Sequence, residues 1–138
     1  MTPSYNHSYL AYRLAKLMDD EERFNVHIEI TLDIDGVDYI PDIAVYPRQP
    51  VDFLHDKVKT EQRPLLIVEI LSPRQAINDV TEKFEVYLHA GIASCWLVIP
   101  PTKTIIVFTD IHQPQSYSSG VFVDSVLQKE ISVAQIFR

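Results

Sequence analysis

The chain has 138 residues, 46% of them hydrophobic, and a formal net charge of −7 at pH 7. This length is common for one domain, and the apolar content is enough for a hydrophobic core. No run of about 18 apolar residues is present, so we expect no membrane-spanning helix. The first residues lack the basic start and apolar centre of a secretory signal, and we expect a cytoplasmic protein.

The charge is unevenly distributed along the chain. Residues 1–47 carry three basic and nine acidic side chains, residues 48–83 carry six of each, and residues 84–138 carry three and four. Non-specific affinity for nucleic acid comes mainly from Lys and Arg that neutralise phosphates, so the net charge argues mildly against it. A metal site is itself acidic and bound cations offset part of that charge, so nucleic-acid binding stays open.

The N-terminal segment predicts an amphipathic helix. Thr2 suits an N-cap and Pro3 the first helical position. A charged turn at residues 19–23 ends the pattern. The predicted buried stripe recurs at helical spacing and consists of Leu10, Leu14, Leu17 and Met18.

A long β-hairpin is predicted next. From Phe24 to Ile34 apolar and polar residues alternate, which is typical of a half-buried strand. Asp35-Gly36 is a strong hairpin signal. We therefore expect the backbone to return antiparallel through residues 37–46.

Residues 47–64 show no clean period and include three prolines, so we expect an irregular loop. Its four basic residues are candidates for phosphate contacts: Arg48, Lys57, Lys59 and Arg63. The alternative is a solvated surface loop.

The remaining elements complete the predicted fold. Leu65 to Leu71 is an apolar central strand, the next helix is capped by Asn78 or Asp79, and Gly91 suits its C-terminal end. Further strands are expected at 94–99 and 104–109, a polar loop or weak hairpin at 113–120, an edge strand at 121–123 and a helical turn at 132–137. The stripe of the second helix comprises Val80, Phe84, Tyr87 and Leu88. The order αβββαββ predicts an α/β fold, a mixed sheet with a helix on each side.

One acidic residue interrupts the central strand. Glu69 places a carboxylate in a segment that reads as buried on both faces, which is costly unless the group is protonated, paired or bound to a metal. Asp42 begins a run of strand-forming residues, and Lys83 shares a predicted helix face with Asp79 and Tyr87. Two carboxylates and a lysine at one end of a sheet can hold a divalent cation beside a charge that handles phosphate.

Several motifs occur in a family-specific order. They are Pro41-Asp42, Val68-Glu69-Ile70-Leu71-Ser72-Pro73, Asp79, Lys83, Tyr87, Gly91 and Trp96. Between Thr2 and Ile106 this combination resembles the Uma2 family of proposed bacterial restriction endonucleases, part of the PD-(D/E)XK nuclease superfamily. The resemblance implies a restriction-endonuclease-like fold, hydrolysis of DNA, and Mg²⁺ or Mn²⁺ as the cofactor.

The resemblance also implies roles for the candidate residues. Asp42 and Glu69 would hold the metal, and a lysine would orient or activate the attacking water. In the wider superfamily that lysine often lies two residues after the glutamate, where this chain has Leu71. Lys83 is the substitute implied by the family pattern. The alternatives are an exposed Lys83 paired with Asp79, and Asp42 as an ordinary turn residue.

Other residues are secondary candidates. Glu29 is either a further metal ligand or a surface residue. Ser72, Asp79 and Tyr87 would support the site through hydrogen bonds or packing. His7 matches a histidine often found near the first helix of such relatives, although a lone histidine is usually structural. The three glycines form neither a phosphate loop nor a dinucleotide fingerprint, so no nucleotide cofactor is expected.

Cys95 is the single cysteine, interpreted as a small buried hydrophobe without a disulfide or cysteine zinc site.

We expect residues 1–138 to form one domain that lacks the N-terminal strands usual among relatives. Those strands could come from a second copy, so a homodimer is plausible, and a two-fold dimer would cut both strands of a duplex. The alternative function is a catalytically silent member of the fold that binds DNA or a protein.

Overall fold

The structure is a computed structural model that describes residues 3–138. Over this range the chain forms three α-helices, α1 Tyr5–Met18, α2 Ile77–His89 and α3 Val133–Ile136, and a short 3-10 helix at Pro100–Thr102. Ten strands lie in the same range: β1 Phe24–Ile28, β2 Leu32–Ile34, β3 Val37–Tyr39, β4 Ile43–Pro47, β5 Leu66–Ile70, β6 Ser94–Ile99, β7 Thr104–Phe108, β8 Gln115–Tyr117, β9 Val121–Asp124 and β10 Lys129–Ser132. No helix of the described range is long and apolar enough to cross a membrane.

A six-stranded mixed sheet forms the centre, in the order β1-β4-β5-β6-β7-β8. The pairing of β5 with β6 is parallel, and the other four pairings are antiparallel. The parallel pair needs a crossover, and α2 provides it. The predicted α/β class with a mixed sheet is confirmed.

Each face of the sheet is covered by a different set of elements. On one face α1, α3 and the β9–β10 hairpin pack on alternate strand residues, while α2 and the β2–β3 hairpin cover the other face. Because side chains alternate along a strand, Val68 faces α1 while Ile67 faces α2. The same alternation directs Glu69 to the α2 side.

The predicted long hairpin is real but interrupted. Ile28 pairs with Ile43, and four residues further along each strand Leu32 pairs with Tyr39, so both segments share one register. The single strand expected over 24–34 is wrong, because Glu29 adopts φ 53 and ends β1. Such a left-handed conformation is unfavourable for a residue with a Cβ. The hairpin turn at Asp35-Gly36 is confirmed, with φ values of 53 and 84.

The predicted helix starts are wrong by a few residues. The side chain of Ser4 accepts a hydrogen bond from His7 N–H and caps α1, whereas Thr2 lies outside the described residues. Helix α2 begins before Asn78, and Asp79 accepts from the N–H of Ala76 at 3.3 Å from inside the first turn. The predicted C-terminal role of Gly91 is confirmed by its φ of 95.

The C-terminal part contains more strands than expected. Part of the predicted polar loop is β8, which pairs with β7 at the sheet edge. The predicted strand near residue 121 pairs with β10 rather than with the main sheet, and β10 itself was missed. The closing helical turn is confirmed as α3. Residues 48–65 lack regular secondary structure, which confirms the loop predicted at 47–64 except for Pro47, the last residue of β4.

Candidate active site

Glu69 lies on an inner strand of the central sheet and is 5% exposed. It belongs to β5, whose residues are all buried. Its neighbours on both sides of the strand are apolar, so the carboxylate can only be compensated from the end of the sheet and from α2. Two groups do this, one on β4 and one on α2.

Asp42 provides the first contact, just before β4 begins. Its backbone N–H donates to Glu69 Oε1 at 2.9 Å, and its own Oδ2 accepts from the N–H of Ile70 at 2.7 Å. Both bonds run from a backbone N–H to a carboxylate, and they lie next to the last residue pair of β4 and β5, Ile43 and Val68. The two carboxylates are therefore fixed relative to each other by backbone donors, and the juxtaposition predicted from the sequence is present.

Glu69 is destabilised as an anion by this position. Burial, together with the nearby negative charge of Asp42, raises the pKa of Glu69 to about 7. The hydrogen bond from Asp42 N–H and the charge of Lys83 act in the opposite direction. Two carboxylates held together in this way are stabilised when a cation binds them.

Lys83 approaches the same carboxylate from α2. Its Nζ lies 3.8 Å from Glu69 Oε2, and its side chain is 41% exposed. The expected alternative, pairing with Asp79, is not the arrangement found, because Asp79 caps the helix N-terminus instead. The partly exposed Lys83 therefore lies between the buried Glu69 carboxylate and the solvent.

His7 holds Asp42 from the opposite side. Its Nε2 lies 3.0 Å from Asp42 Oδ1, and the residue is 9% exposed. Its Nδ1 is buried and has no hydrogen-bond partner among the described residues. Since only one ring nitrogen has a partner, the tautomer with the proton on Nε2 fits the geometry, and it donates to Asp42.

These groups line one cleft of about 340 Å³. Its lining also includes Glu29, Ser72 and Gln75. Glu29 is exposed, and its N–H donates to the carbonyl of Asp42 at 3.2 Å. The backbone break at Glu29 therefore lies beside the acid pair, and Glu29 is an exposed residue of the cleft lining.

The predicted supporting residues differ in position. Ser72 is buried at the cleft, and its backbone N–H donates to Gln75 Oε1 at 3.4 Å. Tyr87 is fully buried behind the site, and desolvation, with the charge of Glu69 second, raises its pKa. Asp79 acts on the helix terminus and is not among the cleft-lining residues.

A larger cleft of about 520 Å³ meets the first one at Glu29. It lies under the irregular loop, and Lys57 and Lys59 contribute to its wall. Most of the basic side chains expected to contact phosphate are already engaged: Arg48 donates to Asn25 Oδ1 at 2.8 Å, Lys59 lies 3.4 Å from Asp38 Oδ1, and Arg63 donates to the carbonyl of Asp33 at 3.1 Å. The lining of this larger cleft does not include Asp42 or Glu69.

The donor set decides which metal the site suits. Within residues 3–138 no cluster of three or more His, Cys, Asp or Glu could by itself enclose a metal ion. Mg²⁺ commonly binds through one or two carboxylates and completes its coordination with waters and substrate phosphates. Asp42 and Glu69 fit that requirement, whereas an all-protein cage for zinc or calcium is not offered here.

A solved structure shares this fold. The chain is similar to a crystal structure from Anabaena variabilis described as "a putative nuclease belonging to DUF820", with a TM-score of 0.85 and 19% sequence identity. The similarity covers 99% of this chain and 83% of that chain. At this identity it establishes the shared architecture.

The family follows from the sequence. The family model Uma2, described as "Putative restriction endonuclease", matches residues 1–134, and the chain belongs to this family. The resemblance inferred from the motifs is confirmed. Among curated proteins none matches the chain.

His7 and Gln75 are polar cleft residues to which the sequence analysis gave no role in the site. His7 stood out only through the resemblance, because 35 residues separate it from Asp42 and no spacing rule links them. Gln75 lies in the short connection after Ser72-Pro73 and carries no motif. Their place in the cleft follows from the packing of distant segments and not from a local sequence pattern.

Proposed function

We propose that the protein is a Mg²⁺- or Mn²⁺-dependent endonuclease that hydrolyses phosphodiester bonds of DNA. The observation that carries the proposal is the contact between Asp42 and Glu69. Glu69 Oε1 accepts from Asp42 N–H, Asp42 Oδ2 accepts from Ile70 N–H, and Lys83 Nζ lies 3.8 Å from the buried Glu69 carboxylate. Membership of a family described as restriction endonucleases and the nuclease-like fold support the same reaction class.

In this proposal Asp42 and Glu69 hold the cation, and Glu29, an exposed residue of the cleft lining, is a further candidate ligand. A bound divalent cation supplies Lewis-acid activation of the phosphoryl group and acidifies a water. Asp42 keeps its orientation through His7 and the Ile70 N–H. The carboxylates are preorganised before substrate arrives, so little reorganisation is needed in the transition state.

Lys83 has a separate task. Its ammonium is partly exposed and faces the cleft, where it can orient the attacking water and offset the negative charge that develops on the phosphate. Its position on α2 replaces the lysine that relatives of the wider superfamily carry near the glutamate. The partner of the ammonium in the free protein is Glu69, and a cation at the carboxylates would free it for substrate.

The second candidate is a catalytically silent binding module. It is favoured by one observation: each oxygen of the two carboxylates already has a protein partner, namely Ile70 N–H, His7, Asp42 N–H and Lys83. A fully compensated acid pair can serve structure alone.

Cleavage assays with matched variants separate the two candidates. Purified protein with Mg²⁺ or Mn²⁺ is expected to cut supercoiled DNA. Asp42→Asn or Glu69→Gln should lower the cleavage rate by roughly 10³-fold, and Lys83→Met should lower it by roughly 10²-fold. The matched control is Asp38→Asn, which removes an exposed acid outside the cleft. Calorimetric metal titration should show binding that is lost in Glu69→Gln. Absence of cutting of duplex DNA, single strands and RNA with either cation would refute the enzyme.

A further inference from the structure

An exposed aromatic stripe runs along α1 on the side away from the sheet. It comprises Tyr5, Tyr9, Tyr12 and Lys16, and we call it the tyrosine stripe. The three tyrosine residues are 89%, 47% and 63% exposed. At about 100° per residue, the four positions fall within an arc of about 60°. The buried stripe of the same helix, His7, Leu10, Leu14 and Met18, lies diametrically opposite.

The stripe is partly held in place by its surroundings. Tyr9 Oη donates to the carbonyl of Arg138 at 2.9 Å, and the guanidinium of Arg13 lies 5.9 Å from the centre of the Tyr9 ring. Arg13 in turn donates to the carbonyls of Gln135 and Ile136. A fixed aromatic surface loses little side-chain entropy on binding. Tyrosine is also among the residues enriched in protein interfaces and their hot spots.

The spacing of the stripe is self-complementary. In an antiparallel pair of α1 helices, a two-fold axis midway between Tyr9 and Tyr12 places Tyr9 against the partner's Tyr12. The same axis places Tyr5 against the partner's Lys16, where an ammonium can contact an aromatic face. Isologous contacts of this kind are what a two-fold dimer requires.

Charge selects the antiparallel direction. Four acidic residues, Asp19, Asp20, Glu21 and Glu22, follow α1 directly, and α1 itself has basic residues but no acidic ones. An antiparallel pair brings this acidic turn near the positive N-terminal end of the partner helix, whereas a parallel pair would bring two acidic turns together. The acidic turn also repels phosphate, so it disfavours a nucleic-acid strand along the stripe.

We propose that the tyrosine stripe is a homodimer contact in which α1 packs antiparallel on α1 of a second copy. This inference is independent of the nuclease reaction. The exposed parts of the rings amount to roughly 400 Å² per copy, so the stripe forms a small interface compared with stable complexes. The dimer is therefore weak, with dissociation in the micromolar range or above.

Cross-linking tests the direction of the pair. Tyr5→Cys protein is mixed with Lys16→Cys protein and treated with a short bismaleimide; Cys95 is fully buried and does not compete. The antiparallel pair predicts mainly the mixed product. Products linking Tyr5→Cys to itself and Lys16→Cys to itself would instead indicate a parallel pair and overturn the proposal. A thiol at Glu85→Cys, on α2 across the sheet, serves as the background control.

Sedimentation equilibrium tests the surface itself. The wild-type chain is expected to show a reversible monomer–dimer equilibrium, and Tyr12→Glu should weaken it at least tenfold because it places a carboxylate against the partner's Tyr9. Ile77→Glu adds the same charge at a 46% exposed apolar position on α2 and should change the dissociation constant less than twofold. A chain that stays monomeric to roughly millimolar concentration overturns the proposal. A Tyr12→Glu variant that dimerises as tightly as the wild type also overturns the proposal. If that variant in addition loses binding of a single-stranded oligonucleotide, the stripe is a nucleic-acid contact.

Discussion

Two buried carboxylates, Asp124 and Glu69, illustrate opposite solutions to the same problem. Asp124 is 1% exposed, and its oxygens accept from Trp96 Nε1, Val126 N–H and Leu127 N–H, each at 2.9 Å. Glu69 is 5% exposed, but it faces another carboxylate and a lysine at a cleft. The first acid is satisfied by neutral donors within the core. The second retains an electrostatic conflict that a ligand can relieve, which is typical of functional sites.

The largest expected effect contrasts the stability contributions of the two acids. Asp124→Ala should lower the free energy of unfolding by about 3 kcal/mol or more, since it leaves three donors without their acceptor in the core. Glu69→Gln should cost little at pH 7.5 in metal-free protein, because the neutral amide avoids burying a charge. Urea unfolding of both variants measures the difference. Equal losses would show that Glu69 is as structural as Asp124.

A second experiment uses the pH dependence of stability. The folded-state pKa of Glu69 is raised from 4.5 to about 7, so between these values the folded protein binds more protons than the unfolded chain. The contribution of Glu69 is therefore fully present below pH 4.5 and is lost as the pH rises through 7. Relative to Glu69→Gln, the metal-free wild type should lose on the order of 3 kcal/mol across this window.

Unfolding curves of both proteins, recorded in EDTA from pH 4.5 to 8, measure this difference. The other titrating groups are common to the two chains, so the difference isolates Glu69. A difference in unfolding free energy that stays constant from pH 4.5 to 8 would contradict the raised pKa of Glu69. Excess Mg²⁺ should restore part of the loss in the wild type only, because a bound cation favours the ionised carboxylate.

The smallest expected effect concerns His7, which we assign as a positioning residue for Asp42. His7→Gln keeps a donor near Asp42 Oδ1, whereas His7→Leu removes it. His7→Leu is expected to lower kcat roughly tenfold and to weaken Mg²⁺ binding, since loss of an orienting contact typically costs 10–100-fold. Rescue of both quantities in His7→Gln would support positioning. A merely structural role predicts lower thermal stability with unchanged kcat per folded molecule.

Local pattern was sufficient for much of the fold and for part of the site. Glu69 stood out because a charge inside an apolar strand is expensive. Helical periodicity placed Lys83 on one face with Tyr87, but its choice as the lysine of the site came from the family resemblance. The Asp35-Gly36 turn was recognised from residues that tolerate positive φ. Each of these signals depends on neighbours only a few positions away.

The remaining features depend on contacts between distant segments. Asp42 meets Glu69 because Ile43 pairs with Val68, and no local pattern fixes that register. The break at Glu29 was missed because a positive φ at a glutamate has no sequence signal. The β10 strand and the role of His7 likewise depend on packing of distant parts of the chain.

The reciprocal bonds of the acid pair also make two amides into reporters. Asp42 N–H is held by Glu69, and Ile70 N–H is held by Asp42. Binding or protonation at either carboxylate must therefore alter the chemical shifts and the solvent-exchange rates of these two amide protons. Nuclear magnetic resonance of the backbone can follow occupation of the cleft without a label on the ligand and without turnover.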